Sequence, residues 1–304
     1  MICLVESDLD TNSVPTKSSP IPEGIHPLNN YMNRISPSLW LLSALALGGS
    51  HQVLSQDLPT TQPKLLTIVR EEVKVGRNAE HAKHEAGWPA AYEKAKSPDY
   101  YLAMTSLTGP NEAWYVIPWE SHAAIAASMK RDDKNPVLSA ELDRLSLGDA
   151  EYVSGLRMIQ AQARADLSVG SFPDLAKARF FAIVIYRVRP GHDAQFETVA
   201  KAYGAARMRV APKAGFRVYQ VIAGMPTPTF LIFSSVEDYS EFDGMTAAIQ
   251  DTLKALTAEE QAARQKFQTE GVISSEMNYF KLDPIQSYVS KETRAKDPEF
   301  WSPK

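Results

Sequence analysis

His81, His84 and Trp88 fall at i, i+3 and i+7, which places two imidazoles and an indole along one face of a helix. Rings three residues apart on a helix are near enough to share a ligand. An imidazole changes charge close to neutral pH, so either ring is a candidate base or ligand. A metal centre usually needs a third donor. No further His or carboxylate stands at metal-like spacing, so no metal is expected. His81-Ala82-Lys83-His84 also lacks the i, i+4 spacing and the glutamate of the zinc-protease helix. The plainer alternative has both rings satisfied by neighbouring carbonyls or by Glu72 and Glu85.

Arg70 and Trp114 complete the set of candidate binding residues. Arg70 stands inside a strand-like run, where a covered guanidinium must be paired or reach a pocket. Glu72 points the same way by alternation and is its expected partner. Trp114 and Tyr115 point to opposite faces of their strand. With Trp88, Tyr92, Tyr100, Tyr101 and Trp119 they either line a cavity for a flat organic ligand, such as a quinone or porphyrin, or form core. Gly-rich phosphate loops, GxSxG elbows and paired-Cys zinc motifs are absent from the sequence. His122 and His192 open helices and are expected at the surface.

The elements that must position these residues occur twice. Leu65-Leu66-Thr67-Ile68-Val69 through Gly76 aligns with Phe180-Phe181-Ala182-Ile183-Val184 through Gly191, 115 residues further on. The same offset pairs Gly109 with Gly224 without a gap. Only eight positions are identical over residues 65–109, but residue classes stay in step: Trp88 meets Tyr203 and Tyr101 meets Phe216. At the positions of His81, His84 and Trp88 the second copy carries Phe196, Val199 and Tyr203, an apolar face that must pack on a sheet.

Each copy reads as a strand (65–75 and 180–189), a helix (78–96 and 193–210) and two strands around a Gly turn (100–108 and 113–119; 216–223 and 229–233). A second helix (123–130 and 236–256) and a last strand (156–163 and 272–282) follow. This β-α-β-β-α-β order is the ferredoxin-like unit.

Element order and duplication over about residues 64–290 resemble the dimeric α+β-barrel superfamily. Arg70-Glu71-Glu72-Val73-Lys74-Val75-Gly76 through Gly87-Trp88 is similar to exported bacterial members with no assigned function. The resemblance implies an α+β fold in which two tandem ferredoxin-like repeats close into an intramolecular pseudo-dimeric barrel. It also implies a pocket between helices and sheet, on the side His81 and His84 should face. Members include cofactor-free monooxygenases and haem-degrading enzymes.

Upstream, the apolar run Leu39–Leu47 is too short for a membrane span of about 20 residues and fits the core of a signal peptide. Met32-Asn33-Arg34 supplies a start and a positive charge, and Ser55 a small residue before cleavage at Gln56. The expected organisation is an extension not native to the protein (1–31), a signal peptide (32–55), a first repeat (64–165), a linker (166–178), a second repeat (179–290) and an extended tail (291–304). Cys3 is the only cysteine, so the mature chain has no thiol chemistry. A net charge of −4 offers no general attraction to nucleic acid.

The expected protein is therefore periplasmic or secreted and binds a small organic ligand or acts as a scaffold, with any ligand site in the first copy. The alternative is a monooxygenase-like or haem-handling enzyme using His81 or His84. No cofactor is expected, haem being the one the resemblance allows. No stable membrane insertion is expected after cleavage, and oligomerisation is left open.

Overall fold

A computed structural model describes residues 57–302. The segments 1–31 and 32–55, read above as extension and signal peptide, lie outside the described residues. In the first half, β1 (Leu65–Val73) leads to α1 (Asn78–Glu85) and α2 (Gly87–Ala95). β2 (Tyr101–Ser106), β3 (Glu112–Trp119), α3 (His122–Asp133), α4 (Pro136–Asp149) and β4 (Val153–Ala163) follow. The second half runs β5 (Phe180–Val188), α5 (Asp193–Val210), β6 (Arg217–Ala223), β7 (Thr229–Val236), α6 (Glu241–Lys254), α7 (Ala258–Glu270) and β8 (Val272–Tyr288). Two short helices close it, α8 (Lys291–Lys296) and α9 (Pro298–Trp301).

All strand pairs are antiparallel, and the eight strands close into a barrel in the order β1-β3-β2-β8-β5-β7-β6-β4. Each half therefore has its first strand between its third and fourth. The halves join where β2 meets β8 and β4 meets β6. β1 and β5 carry the same irregularity, a register shift after Glu72 and after Arg187, 115 residues apart. Gly76 and Gly191 follow at φ 82° and 89°, left-handed backbone that favours glycine at each strand-to-helix turn. Gly224 is fixed by space as well, since a Cβ there would lie 2.0 Å from the Met158 carbonyl oxygen.

Alternation sorts the side chains into an inner and an outer layer. Ile68, Trp114, Ile159, Ile183, Leu231 and Leu282 meet inside the barrel, each at most 1% exposed. Burial of one such side chain contributes about 1.5–3 kcal/mol. On the outer face, Val73, Tyr101, Tyr115 and Tyr288 pack beneath α2, and Val188 and Phe230 pack against Phe196 of α5 and Phe267 of α7.

The helix read at 78–96 is two helices. Pro89 cannot donate to the carbonyl of Glu85, and its ring crowds that carbonyl, so α1 ends and α2 starts at Gly87. Its counterpart α5, without proline, is one unbroken helix of 18 residues. The second-copy helix read from 236 begins instead at Glu241, because Val236 still pairs with Phe180 in the sheet. The tail is not extended. Ser290 and Asp297 cap α8 and α9, and Trp301, 3% exposed, joins the barrel core while its Nε1 donates to the Ala176 carbonyl.

Candidate functional site

The sheet separates the five candidate residues. Val69, Glu71 and Val73 of β1 face the helices, whereas Ile68 and Arg70 face the barrel interior. Arg70 pairs there with Glu112, not Glu72, through Nε (2.8 Å) and Nη2 (2.7 Å). Trp114 donates its Nε1 to the same carboxylate at 2.8 Å. Glu112 can do this because it lies two residues before Trp114, which is directly opposite Arg70. The three form a closed ionic knot, with Glu112 4% exposed.

His81, on the other face of the sheet, points at β1. Its Nε2 lies 2.9 Å from Glu71 Oε2 and 4.0 Å from Glu85 Oε1. His84 turns toward α4. Its Nε2 is 2.9 Å from the Leu145 carbonyl and 2.9 Å from Asp149 Oδ1. A single N–H cannot serve both acceptors well, and its direction favours Leu145. Asp149 Oδ1 and Glu85 Oε1 are thus left as buried oxygens without a donor. Gly148 makes the approach possible, since a Cβ there would stand 2.4 Å from His84 Cε1. Trp88, beyond the break at Gly87, packs with Ala91, Leu138 and Leu145 and not on the sheet.

Burial, then the charges of Glu71 and Asp149, push the Glu85 carboxyl up to about 9, so it is protonated near neutral pH. A proton on Glu85 also lets it bond to Asp149, which two bare carboxylates cannot do. Tyr115, whose hydroxyl donates to Gln286 Oε1 at 2.9 Å, is raised well above the usual phenol by burial and by Glu85 and Glu71. The remaining aromatics fill space and do not line it. Tyr92, Tyr100, Tyr101 and Tyr288 pack on one another, and Trp114 rests on Phe280.

The second half is built differently at the same place. Tyr186, Phe196, Val199 and Ala200 stand 115 residues after Glu71, His81, His84 and Glu85, and all four line a cavity of about 720 Å³. The cavity lies between α5, α6, α7 and the outer face of the second-half sheet. Small residues keep it open. Ala182, Ala200 and Gly244 line it, and a Cβ on Gly244 would meet nothing within 4 Å.

Its charged groups are mostly cationic. Arg207 is 4% exposed, and its Nη2 donates to the Tyr203 hydroxyl at 2.5 Å. The Nε atoms of Arg207 and Arg264 are buried without an acceptor, and no carboxylate among the described residues pairs with either arginine. Lys213 adds a third positive charge at the rim. The one lining carboxylate, Glu241, accepts the backbone N–H groups of Glu237 and Asp238. Sequence reasoning missed this site because Phe196 and Val199 read as filling.

A second cavity, of about 400 Å³, opens at one end of the barrel, lined by Leu66, Met104, Phe181 and Tyr219. No helix among the described residues is long and apolar enough to cross a membrane.

No protein-family model matches the chain, and no curated protein sequence matches it. Solved structures do. A candidate monooxygenase from Fusobacterium nucleatum is similar over 73% of this chain and 93% of its own, with a TM-score of 0.50 and 9% identity. An anthrone oxidase-like protein is similar over 74% and 93%, with a TM-score of 0.49 and 15% identity. Chlorite dismutase from Candidatus Nitrospira defluvii, in complex with imidazole, is similar over 78% and 96%, with a TM-score of 0.43 and 10% identity. At 9% identity the likeness to the Fusobacterium nucleatum structure is one of fold alone, that of the dimeric α+β barrels.

Proposed function

We propose that the protein binds a small amphipathic anion, with an apolar body and one acidic group, in the cavity of its second half. The observation that carries this reading is the pair of arginines at a mainly apolar cavity, each with a buried Nε that has no acceptor among the described residues. An unsatisfied buried donor costs about 1–3 kcal/mol. A carboxylate or sulfonate would accept from these donors and be charge-balanced by them. Phe196, Val199, Tyr186 and Met277 would cover the apolar body, and about 720 Å³ suits a ligand of drug-like size.

The reading is tested by titrating 1-anilinonaphthalene-8-sulfonate, an anionic aromatic whose fluorescence rises in apolar surroundings. One probe should bind per chain, and Val199→Trp, which fills the chamber, should abolish binding with the fold intact. Undiminished binding in that variant would place the site elsewhere.

The enzymatic alternative has less support. Neither His81 nor His84 lines either cavity, and each is held by carboxylates or a carbonyl. Haem has less support in the second-half chamber, because its lining holds neither His nor Cys.

Two further parts of the proposal concern origin and address. The halves descend from one ferredoxin-like unit by tandem duplication. The matched strand order, shared irregularity and shared glycines support this. The protein is exported, with residues 32–55 removed, which the short apolar run after Arg34 supports. Mass spectrometry of the exported protein should find an N-terminus near Gln56. A peptide from residues 1–31 would contradict this.

A further inference from the structure

We propose that the first half holds one divalent transition-metal ion, ligated by Glu71, His81 and Glu85, with His84 and Asp149 flanking the open side. The chamber of the second half plays no part in this inference. Three elements converge on the site: Glu71 comes from β1, His81 and Glu85 from α1, and Asp149 from the end of α4. The donors that the sequence spacing did not single out are Glu71, on the strand ten residues before His81, and Glu85, four residues after it on the same helix.

The geometry fits a single ion. The donor atoms of Glu71, His81 and Glu85 all lie within 4.8 Å of one another, as do those of His84, Glu85 and Asp149. An ion bound at about 2.0–2.2 Å sets neighbouring donors roughly 3.4 Å apart in a tetrahedron. The His81 Nε2 distances of 2.9 Å to Glu71 and 4.0 Å to Glu85 bracket that value. Small rotations of the side chains would bring the three onto one centre.

Charge and burial point the same way. Glu71, Glu85 and Asp149 are 4%, 2% and 8% exposed, and no Lys or Arg forms an ion pair with any of them among the described residues. Three buried acidic groups that have only imidazoles, the Tyr115 hydroxyl and one another as partners lack a full positive charge to balance them. Glu85 Oε1 in particular is sealed, faces His81, and has no hydrogen-bond donor.

A dication between them would compensate the charge and use that oxygen. Mixed imidazole and carboxylate donors select zinc, manganese, iron or cobalt over the all-oxygen sites of calcium and magnesium. Such an ion would clip β1 to α1, and through Glu85 and Asp149 to α4, so that its binding adds to the stability of the fold. The second half has Tyr186, Phe196 and Ala200 at the positions of Glu71, His81 and Glu85, so only the first half can form it.

The test uses the full chain, stripped with a chelator and titrated separately with Zn²⁺ and Co²⁺. One ion should bind per chain and raise the thermal midpoint, and the Co²⁺ form should gain visible absorption. Glu85→Gln keeps the size and an acceptor oxygen but removes the charge. It should weaken binding at least about 100-fold, as should His81→Gln. His122→Gln, at the exposed start of α3, should change nothing. If His81→Gln does not fold, Glu85→Gln decides alone. Failure of the wild type to bind, or binding that survives Glu85→Gln, would overturn the proposal.

Discussion

Replacing Arg207 with Met is expected to weaken binding of an anionic amphiphile roughly 10- to 100-fold, the value of a hydrogen bond to a charged group. The same change should leave the fold as stable or more so. Arg207 is 4% exposed, its Nε is unsatisfied, and its side chain's only hydrogen bond among the described residues reaches Tyr203. Methionine matches the stem in shape, adapts to irregular space and removes the orphaned donor. Lower affinity with equal or higher unfolding free energy would mark Arg207 as a ligand-binding residue. A loss of stability of about 2 kcal/mol or more, with affinity unchanged, would show a structural residue instead. Denaturant unfolding beside the probe titration reads both quantities.

The opposite sign is expected at Arg70. Arg70→Met should cost about 3–5 kcal/mol, because it strands the Glu112 carboxylate inside the barrel. That carboxylate would keep only the Trp114 Nε1 bond. The double variant Arg70→Met with Glu112→Met should recover most of the loss, since an apolar pair of similar volume removes both charges. Urea unfolding of the two single variants and the double variant measures the coupling. If Arg70→Met costs less than about 1 kcal/mol, water reaches the pair and the barrel interior is not closed there.

Much of the architecture was legible because it rests on the periodicity of strand and helix residues. The strand run from Leu65, the glycines at 76 and 191, and the constant offset of 115 placed β1 and β5, and the alternation of Trp114 and Tyr115 was read correctly. The site was less legible, for identifiable reasons. Pro89 carried a signal that a single helix over 78–96 ignores, and the break it causes sends Trp88 toward α4. Glu71 was within reach of sequence reasoning, since it shares the helix-facing side of β1 with Val69 and Val73. Glu112 and Asp149 were not, because their proximity to Arg70 and His84 depends on strand register and helix docking. The cavity was misplaced because large residues on α5 suggest filling only if the opposing residues are large too. Ala182, Ala200 and Gly244 are small, and sequence distance hides that they share a wall.

The central claim, an apolar chamber read by arginines, is tested most directly by two probes that differ in one group. N-phenyl-1-naphthylamine is 1-anilinonaphthalene-8-sulfonate without its sulfonate. The wild-type protein should bind the sulfonate at least about 10-fold more tightly than the neutral amine, as expected for one charge-assisted contact. The double variant Arg207→Met with Arg264→Met should bind the two alike. Equal affinities in the wild type, or a preference that persists in the double variant, would contradict the account.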